Sequence, residues 1–298
     1  MSYIILVVPV LVNVAFVTLF ERKILGYSQI RKGPNKVRFL GVFQPFRDAI
    51  KLFLKEVVVP YRANKVAFIL SPAIIFILIV LIWGMVPFKE LRINIKFRII
   101  LFISILRLNV YPLFISGWSS NSKYGTIGSV RGIAQAISYE ISLALIILSL
   151  ILFYETYNFS RIGNVKLLNQ AILLVPLIII WVISSVAETN RRPFDFSEGE
   201  SELVSGFNIE FGGVLFTIIF LREYGIILLL RILRSVLFFI GRGRLISRWI
   251  FLILFAYFWV WLRGTYPRFR YDKLINLGRK IILPISLVFL IFTSIIFY

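Results

Sequence analysis

Residues 1–20, 66–88, 167–187 and 281–298 each run without a single charged side chain. Each run is long enough for the roughly 20-residue helix that crosses a bilayer core. Backbone N–H and C=O groups in lipid must pair within their own segment, so spans of this kind are helical. Further apolar stretches carry isolated charges: residues 99–118 hold Arg107, 132–154 hold Glu140, and 211–241 hold Arg222, Glu223, Arg231 and Arg234, while 248–262 is short. The pattern predicts an all-α chain, a polytopic transmembrane helix bundle of about eight spans. No low-complexity linker or internal repeat divides it, so residues 1–298 are expected to form a single membrane domain. The first run lacks a basic segment before it and is followed at once by Glu21, Arg22 and Lys23, which favours a retained helix over a cleaved signal peptide.

Of the residues, 59% are hydrophobic, against roughly half in an ordinary soluble domain, and the excess calls for lipid. The chain has no Cys and no His, which removes the usual ligands of iron–sulfur clusters, haem and catalytic zinc. No metal or redox centre is expected in it. Gly241-Arg242-Gly243 lacks the third glycine and the strand context of a dinucleotide fingerprint.

A net charge of +20 invites a nucleic-acid partner, but in a membrane protein basic residues are first sorted by loop. If the spans alternate, the loops after spans 1, 3, 5 and 7 hold 21 of the 34 Lys and Arg, and the remaining loops hold nine. The positive-inside rule then accounts for the charge, and nucleic acid becomes the weaker explanation. It places both termini outside and the long first loop inside.

Within that loop, Phe43, Phe46, Ile50, Phe53 and Val57 repeat at helical spacing, while Asp48, Lys51 and Lys55 fall on another face. An amphipathic helix opening near Pro45 is expected, lying in the membrane interface. Before it, Gly33-Pro34-Asn35 signals a turn among Arg31, Lys32, Lys36 and Arg38. Seven of the 14 acidic residues fall between Glu188 and Glu223: Glu188, Asp195, Glu198, Glu200, Glu202, Glu210 and Glu223. A helix through 195–202 would stack Asp195, Glu198 and Glu202 at like-charge spacing around Gly199, so an irregular loop is expected. Carboxylates crowded in a low-dielectric wall cannot all ionise, so such a loop can store protons, with Arg191 and Arg192 compensating some charges. A solvated acidic loop matched to the basic first loop explains the same charges, and the residues alone leave both open.

The string Glu21-Arg22-Lys23-Ile24-Leu25-Gly26-Tyr27 through Arg31-Lys32-Gly33-Pro34-Asn35-Lys36-Val37 resembles the first matrix loop of subunit 1 of the mitochondrial NADH-ubiquinone oxidoreductase (respiratory complex I) family. Further matches follow in the family's order. They are Gln44-Pro45-Phe46 with Asp48-Ala49-Ile50-Lys51-Leu52, then Gly117-Trp118-Ser119-Ser120-Asn121-Ser122-Lys123-Tyr124 leading to Ile137-Ser138-Tyr139-Glu140. Ala187-Glu188-Thr189-Asn190-Arg191-Arg192-Pro193-Phe194-Asp195, Glu198-Gly199-Glu200-Ser201-Glu202 and Tyr266-Pro267-Arg268-Phe269-Arg270-Tyr271-Asp272 complete the set. The Lys-Gly-Pro-Asn-Lys turn and heavy use of Phe, Ile, Leu, Tyr, Lys and Asn resemble the mitochondrial branch. Departures are local: Arg192 for a small polar residue, Gly125 and Gly132 for alanine, Gly278-Arg279 where a tryptophan normally precedes the lysine, and arginines at 107, 222, 231 and 234 in usually more neutral spans.

The resemblance implies a subunit of the proton-pumping NADH:ubiquinone reductase, multi-pass in the mitochondrial inner membrane with both termini on the intermembrane-space side. Ubiquinone would be its substrate, while NADH, FMN and the iron–sulfur clusters would belong to partner subunits. The partners implied are the peripheral quinone-module subunits, the neighbouring membrane-arm subunits and the lipid bilayer. The quinone-chamber wall carried over from the family comprises Arg22, Arg31, Asp48, Lys51, Arg191, Asp195, Glu198, Glu200 and Glu202. Glu188, Glu140 and Glu223, with Tyr139 beside the second, match the start of the family's proposed proton path; a structural pairing of Glu223 with Arg222 or Arg107 is the plainer alternative. A stand-alone ion-coupled transporter also explains intramembrane acids, but normally shows two halves with matching broken helices, and no such pair is seen. A passive anchor has no need of a charge that costs roughly 2.5–3.5 kcal/mol near the bilayer centre.

Because the chain has no native cysteine, single cysteines report topology cleanly. A Gly33→Cys variant is expected to react with an impermeant maleimide from the matrix side alone; labelling only from the intermembrane side would reverse the orientation.

Overall fold

The computed structural model describes residues 2–37, 39–86, 97–159, 171–197, 199–204, 206–238 and 245–297. Among them the regular structure is helical throughout: α1 (Ser2–Ser28), α2 (Gln44–Phe53), α3 (Lys65–Trp83), α4 (Arg98–Leu108), α5 (Val110–Ser119), α6 (Lys123–Tyr154), α7 (Ala171–Glu188), the single turn α8 (Glu200–Leu203), α9 (Gly213–Phe238), α10 (Leu245–Thr265), α11 (Tyr271–Asn276) and α12 (Leu283–Phe297). A π-helical segment, Leu277–Ile282, joins the last two. Most described residues of the apolar stretches fall on helix. Five helical stretches (α3, α4 with α5, α6, α9, and Tyr271–Ile295) are long and apolar enough to cross a membrane, and α7 and α10 add the shorter apolar segments Leu174–Glu188 and Leu252–Thr265.

Several boundaries differ from expectation for local reasons. The third apolar stretch is two helices that meet at Asn109. Pro112 lacks an N–H and its ring crowds the preceding turn, so the α ladder is interrupted one turn before it. α6 starts at Lys123, well before the apolar stretch it contains, because Ser122 in extended conformation caps it, its side chain accepting from Gly125 N at 3.2 Å. At 32 residues it is roughly 48 Å long at 1.5 Å per residue, enough to cross lipid and project beyond it. α2 begins with Pro45 in its first turn but stops at Phe53, so Lys55 and Val57 lie outside the amphipathic helix. The Val57-Val58-Val59-Pro60 run that follows is β-branched and ends in a proline, which disfavours helix at the residue before it. Phe43, Phe46, Ile50 and Phe53 remain exposed on the chain, an apolar stripe suited to the interface, and Phe46 meets Phe16 at 5.8 Å between ring centroids.

α6 is the central post. It packs against α5, α7 and α12, while α3 packs against α5 and α9. Tyr139, Leu143, Ile146, Leu150, Trp181 and Leu229 form part of its fully buried surround. Lipid tails are as apolar as these side chains, so close van der Waals contact rather than escape from water holds helices together. The α5–α6 crossing shows the requirement. A Cβ at Gly117 would collide with the Ser129 side chain and come within 2.7 Å of the Gly125 carbonyl oxygen. Gly132 faces the Ser197 Cβ at 3.0 Å in the same sense, so the glycine in place of alanine brings the fifth loop close.

Gly117→Val forces α5 off α6 and is expected to destabilise the chain by about 1–3 kcal/mol, the range for overpacking a tight contact. The expected readout is less assembled complex on native gels and a lower melting temperature; wild-type values for both would show that the crossing can relax.

Candidate functional site

The polar ends of the helices meet at one end of the bundle, and a single amide organises the meeting. Gln135 of α6, fully buried, donates from Nε2 to the carbonyls of Ala187 and Phe194, each at 2.8 Å. It thereby fixes the last turn of α7 and the loop that follows. From the other side Phe269 N donates to Pro193 O at 3.1 Å, and the Phe194 and Phe269 rings stack with centroids 5.5 Å apart. The fifth loop is thus clasped between α6 and the segment joining α10 to α11.

The clasp orients the acids. Asp195 is buried and meets Arg268 at 3.3 Å. Residues 195–197 are irregular and Gly199 sits at φ +33°, and among the described residues of 195–204 the helix is the one-turn α8 opened by Glu200. A left-handed residue of this kind ends any helical register between Asp195 and Glu202. Glu202 lies on the rim, paired with Arg131 of α6 at 2.7 Å. Glu198 lies outside the described residues.

Arg191 turns inward. Its Nη2 donates to Glu223 Oε2 at 3.0 Å, both side chains are buried, and its guanidinium lies 4.6 Å from the centroid of the Tyr224 ring. The hydrogen-bonded partner of Glu223 is Arg191, which the clasped loop delivers from 32 positions away, while the sequence neighbour Arg222 stands within electrostatic reach. Arg192 is exposed and does not share this role.

Glu140 and Glu188 line one small gap together with Arg107, Ile103 and Leu106. Glu140 Oε1 and Glu188 Oε2 are buried and accept no hydrogen bond among the described residues. The two carboxylates feel each other's charge, and Arg222 is within electrostatic reach of Glu140, Glu188 and Glu223. Arg107 reaches Glu140 likewise. Groups so placed require a proton or water to be satisfied. Tyr139 adjoins Glu140 in sequence but faces another side of α6, where its hydroxyl donates to Leu274 O at 2.9 Å, just before the π-helical segment, with Gly278 against its ring.

In the first loop, Arg22 and Asp48 pair at 2.6 Å, tying α2 to α1, and Gln44 within α2 donates to Asp48 at 2.9 Å. Arg31 is exposed and donates to Gln29 at 2.8 Å, and Lys51 is exposed on α2. The structure thus unites Arg22 with Asp48, Arg191 with Glu223, and Glu140 with Glu188, while Arg31, Lys51 and Glu202 stand on the periphery.

Glu21, Tyr224 and Arg263 escaped the sequence reading. Glu21 is buried, pairs with Arg263 and accepts from the Tyr224 hydroxyl at 2.7 Å. It was taken as the first loop residue, yet α1 continues to Ser28, so Glu21 sits on a helix flank facing α9 and α10. Farther along α9, Arg231 lies over Trp259 at 5.5 Å and Arg234 against Phe255, so both cations meet aromatic rings of α10.

Interior ion pairs, buried carboxylates and a loop clasped over helix ends define a polytopic membrane protein with charged side chains enclosed among its helices. A sequence model of the NADH dehydrogenase family matches residues 1–294. The chain is 48% identical over 288 residues to NADH-ubiquinone oxidoreductase chain 1 of Aedes aegypti, covering 96% of this chain and 92% of that one. The same protein of Locusta migratoria is 48% identical over 98% of this chain and 93% of its own length, and that of Branchiostoma lanceolatum 46% over 94% and 90%. The chain belongs to the NADH-ubiquinone oxidoreductase chain 1 family.

Gln135→Leu strands the Ala187 and Phe194 carbonyls in a dry interior, at roughly 1–3 kcal/mol for each unsatisfied group. It is expected to lower the yield of assembled complex and free the 189–197 segment to limited proteolysis. Unchanged protease resistance would show that the clasp does not depend on this amide.

Proposed function

We propose that this chain is the membrane-arm subunit of a proton-translocating NADH:ubiquinone oxidoreductase of the mitochondrial inner membrane. Its termini face the intermembrane space and its clasped loops the matrix. It forms much of the ubiquinone chamber and the start of the carboxylate route that couples quinone reduction to proton transfer. The observation that carries this reading is the placement of Glu140 against Glu188 in one buried gap, with Arg191–Glu223 beside it. Ubiquinone is a substrate with an apolar tail and a small polar headgroup. Such a ligand needs apolar walls and a few placed donors and charges. The walls are helix faces in lipid; the charges are Arg22 with Asp48, Lys51 and Arg31 on the first loop, and Asp195, Glu198, Glu200 and Glu202 with Arg191 on the fifth. Flavin and iron–sulfur clusters reside in partner subunits of the peripheral arm and deliver electrons, since this chain lacks the thiols and imidazoles that ligate such clusters. The chain itself holds and moves protons.

The route works by shared charge. Glu140 and Glu188 line one gap and repel when both are ionised, and Arg222 is within electrostatic reach of both. Arg191 pairs with Glu223, and a change in the fifth loop that draws Arg191 away leaves the Glu223 carboxylate without this cation. Tyr139 positions α6 against the last helix through Leu274.

A Gln at 140 keeps the shape and hydrogen-bonding capacity of the side chain but cannot release a proton. Glu140→Gln and Glu223→Gln are expected to assemble normally and to reduce quinone-coupled turnover and proton pumping by about a hundredfold, the low end for loss of an acid–base group. Electron transfer to a hydrophilic acceptor that bypasses the quinone is the control. An unaltered proton-to-electron ratio at full turnover in reconstituted vesicles would remove that position from the route.

A further inference from the structure

Glu21 and Arg22 are consecutive on α1, yet they hold opposite parts of the molecule. Successive helical side chains point about 100° apart, so one flank of a helix can serve two neighbours. Arg22 reaches outward to Asp48 at 2.6 Å and so grips the amphipathic helix α2. Glu21 reaches inward, pairing with Arg263 at the end of α10 and accepting from the Tyr224 hydroxyl of α9 at 2.7 Å. The Tyr224 ring in turn lies under the Arg191 guanidinium at 4.6 Å, and Arg191 donates to Glu223 at 3.0 Å. The charge of Arg191 is also within reach of Glu21, so Arg191 stands between two buried carboxylates.

We propose that the Glu21–Arg22 step of α1 is the link between the outer quinone wall and the Arg191–Glu223 pair, with Glu21 as a positioning residue that acts through the Tyr224 ring. This rests on the functional reading above. A displacement of α2 at the Arg22–Asp48 contact rotates the end of α1, shifts Glu21 against Tyr224, and alters the surface on which Arg191 rests. No proton need pass through Arg191, whose guanidinium stays charged. The link is mechanical and electrostatic: the ring fixes where the cation lies, and the cation fixes where the Glu223 carboxylate lies. It also gives α2 a function beyond lying at the interface, because this ionic contact and the Phe46–Phe16 ring contact tie the helix to α1.

The test is a double-mutant cycle in the assembled complex, with amount fixed by native gel and by electron transfer to a hydrophilic acceptor. Glu21→Gln keeps an acceptor for Tyr224 but removes the charge that holds Arg263. It is expected to lower coupled kcat and the proton-to-electron ratio by about threefold or more, with the KM for quinone unchanged, and to add little in a Glu223→Gln background. Tyr224→Phe removes only the hydroxyl. It is the second variant should Glu21→Gln assemble poorly, and the same pattern is expected of it. A multiplicative loss in the double variant, or a rise in KM with kcat intact, overturns the link and makes Glu21 a strut of the bundle or a quinone contact. A Glu223→Gln variant that alone leaves the proton-to-electron ratio unchanged removes the route at Glu223, and this link with it.

Discussion

A carboxylate enclosed by helices in lipid must be met by a cation or by a proton, and the rest of this molecule is arranged around that requirement. Glu223 has a cation, Arg191, brought to it at 3.0 Å. Glu140 and Glu188 have each other, one gap, and arginines within electrostatic reach. An acid held by a cation thus lies close to acids that accept no hydrogen bond among the described residues, which a set of structural salt bridges would not show. Where every carboxylate has its own arginine, removing one partner is simply destabilising; where two share a charge deficit, occupancy can change without loss of the fold.

That arrangement depends on a loop held still. An irregular segment beside lipid survives only where its backbone groups are satisfied by protein. Gln135 satisfies two carbonyls at once and the Phe269 N–H a third, and these contacts decide that Arg191 faces inward while Arg192 faces out. The tight α5–α6 crossing at Gly117 holds α6 in place, and so sets the depth of Gln135, Tyr139 and Glu140 together. Packing, loop geometry and acid placement are one constraint seen at three scales.

The spans were legible because an apolar run in lipid has only one regular conformation, and the amphipathic helix was legible because Phe43, Phe46, Ile50 and Phe53 keep its period. The end of that helix was not, since the same period continues formally to Val57 and only the β-branched run before Pro60 stops it. The irregular acidic loop was foreseen from Gly199 and like-charge spacing. The pairing of Glu223 was not, because adjacency favours Arg222 and nothing in the sequence measures the 32-residue return of Arg191. Glu21 was missed for a related reason: a charge just after an apolar run reads as the end of a helix, whereas α1 continues for two more turns.

The position of that helix end explains why sequence alone undervalues it. Had α1 stopped at Phe20, Glu21 and Arg22 would be solvated loop charges, each worth little as a surface ion pair. Extension to Ser28 places them on a rigid flank between α2 outside and α9 and α10 inside. Glu21 is 8% exposed there, whereas the Arg22 side chain remains 54% exposed. One residue is committed to the interior and its neighbour to the surface, with no flexible bond between them beyond the helix backbone. A helix that carries two oppositely directed charges at its end transmits displacement between what they hold, and here they hold the amphipathic helix on one side and the aromatic floor of Arg191 on the other.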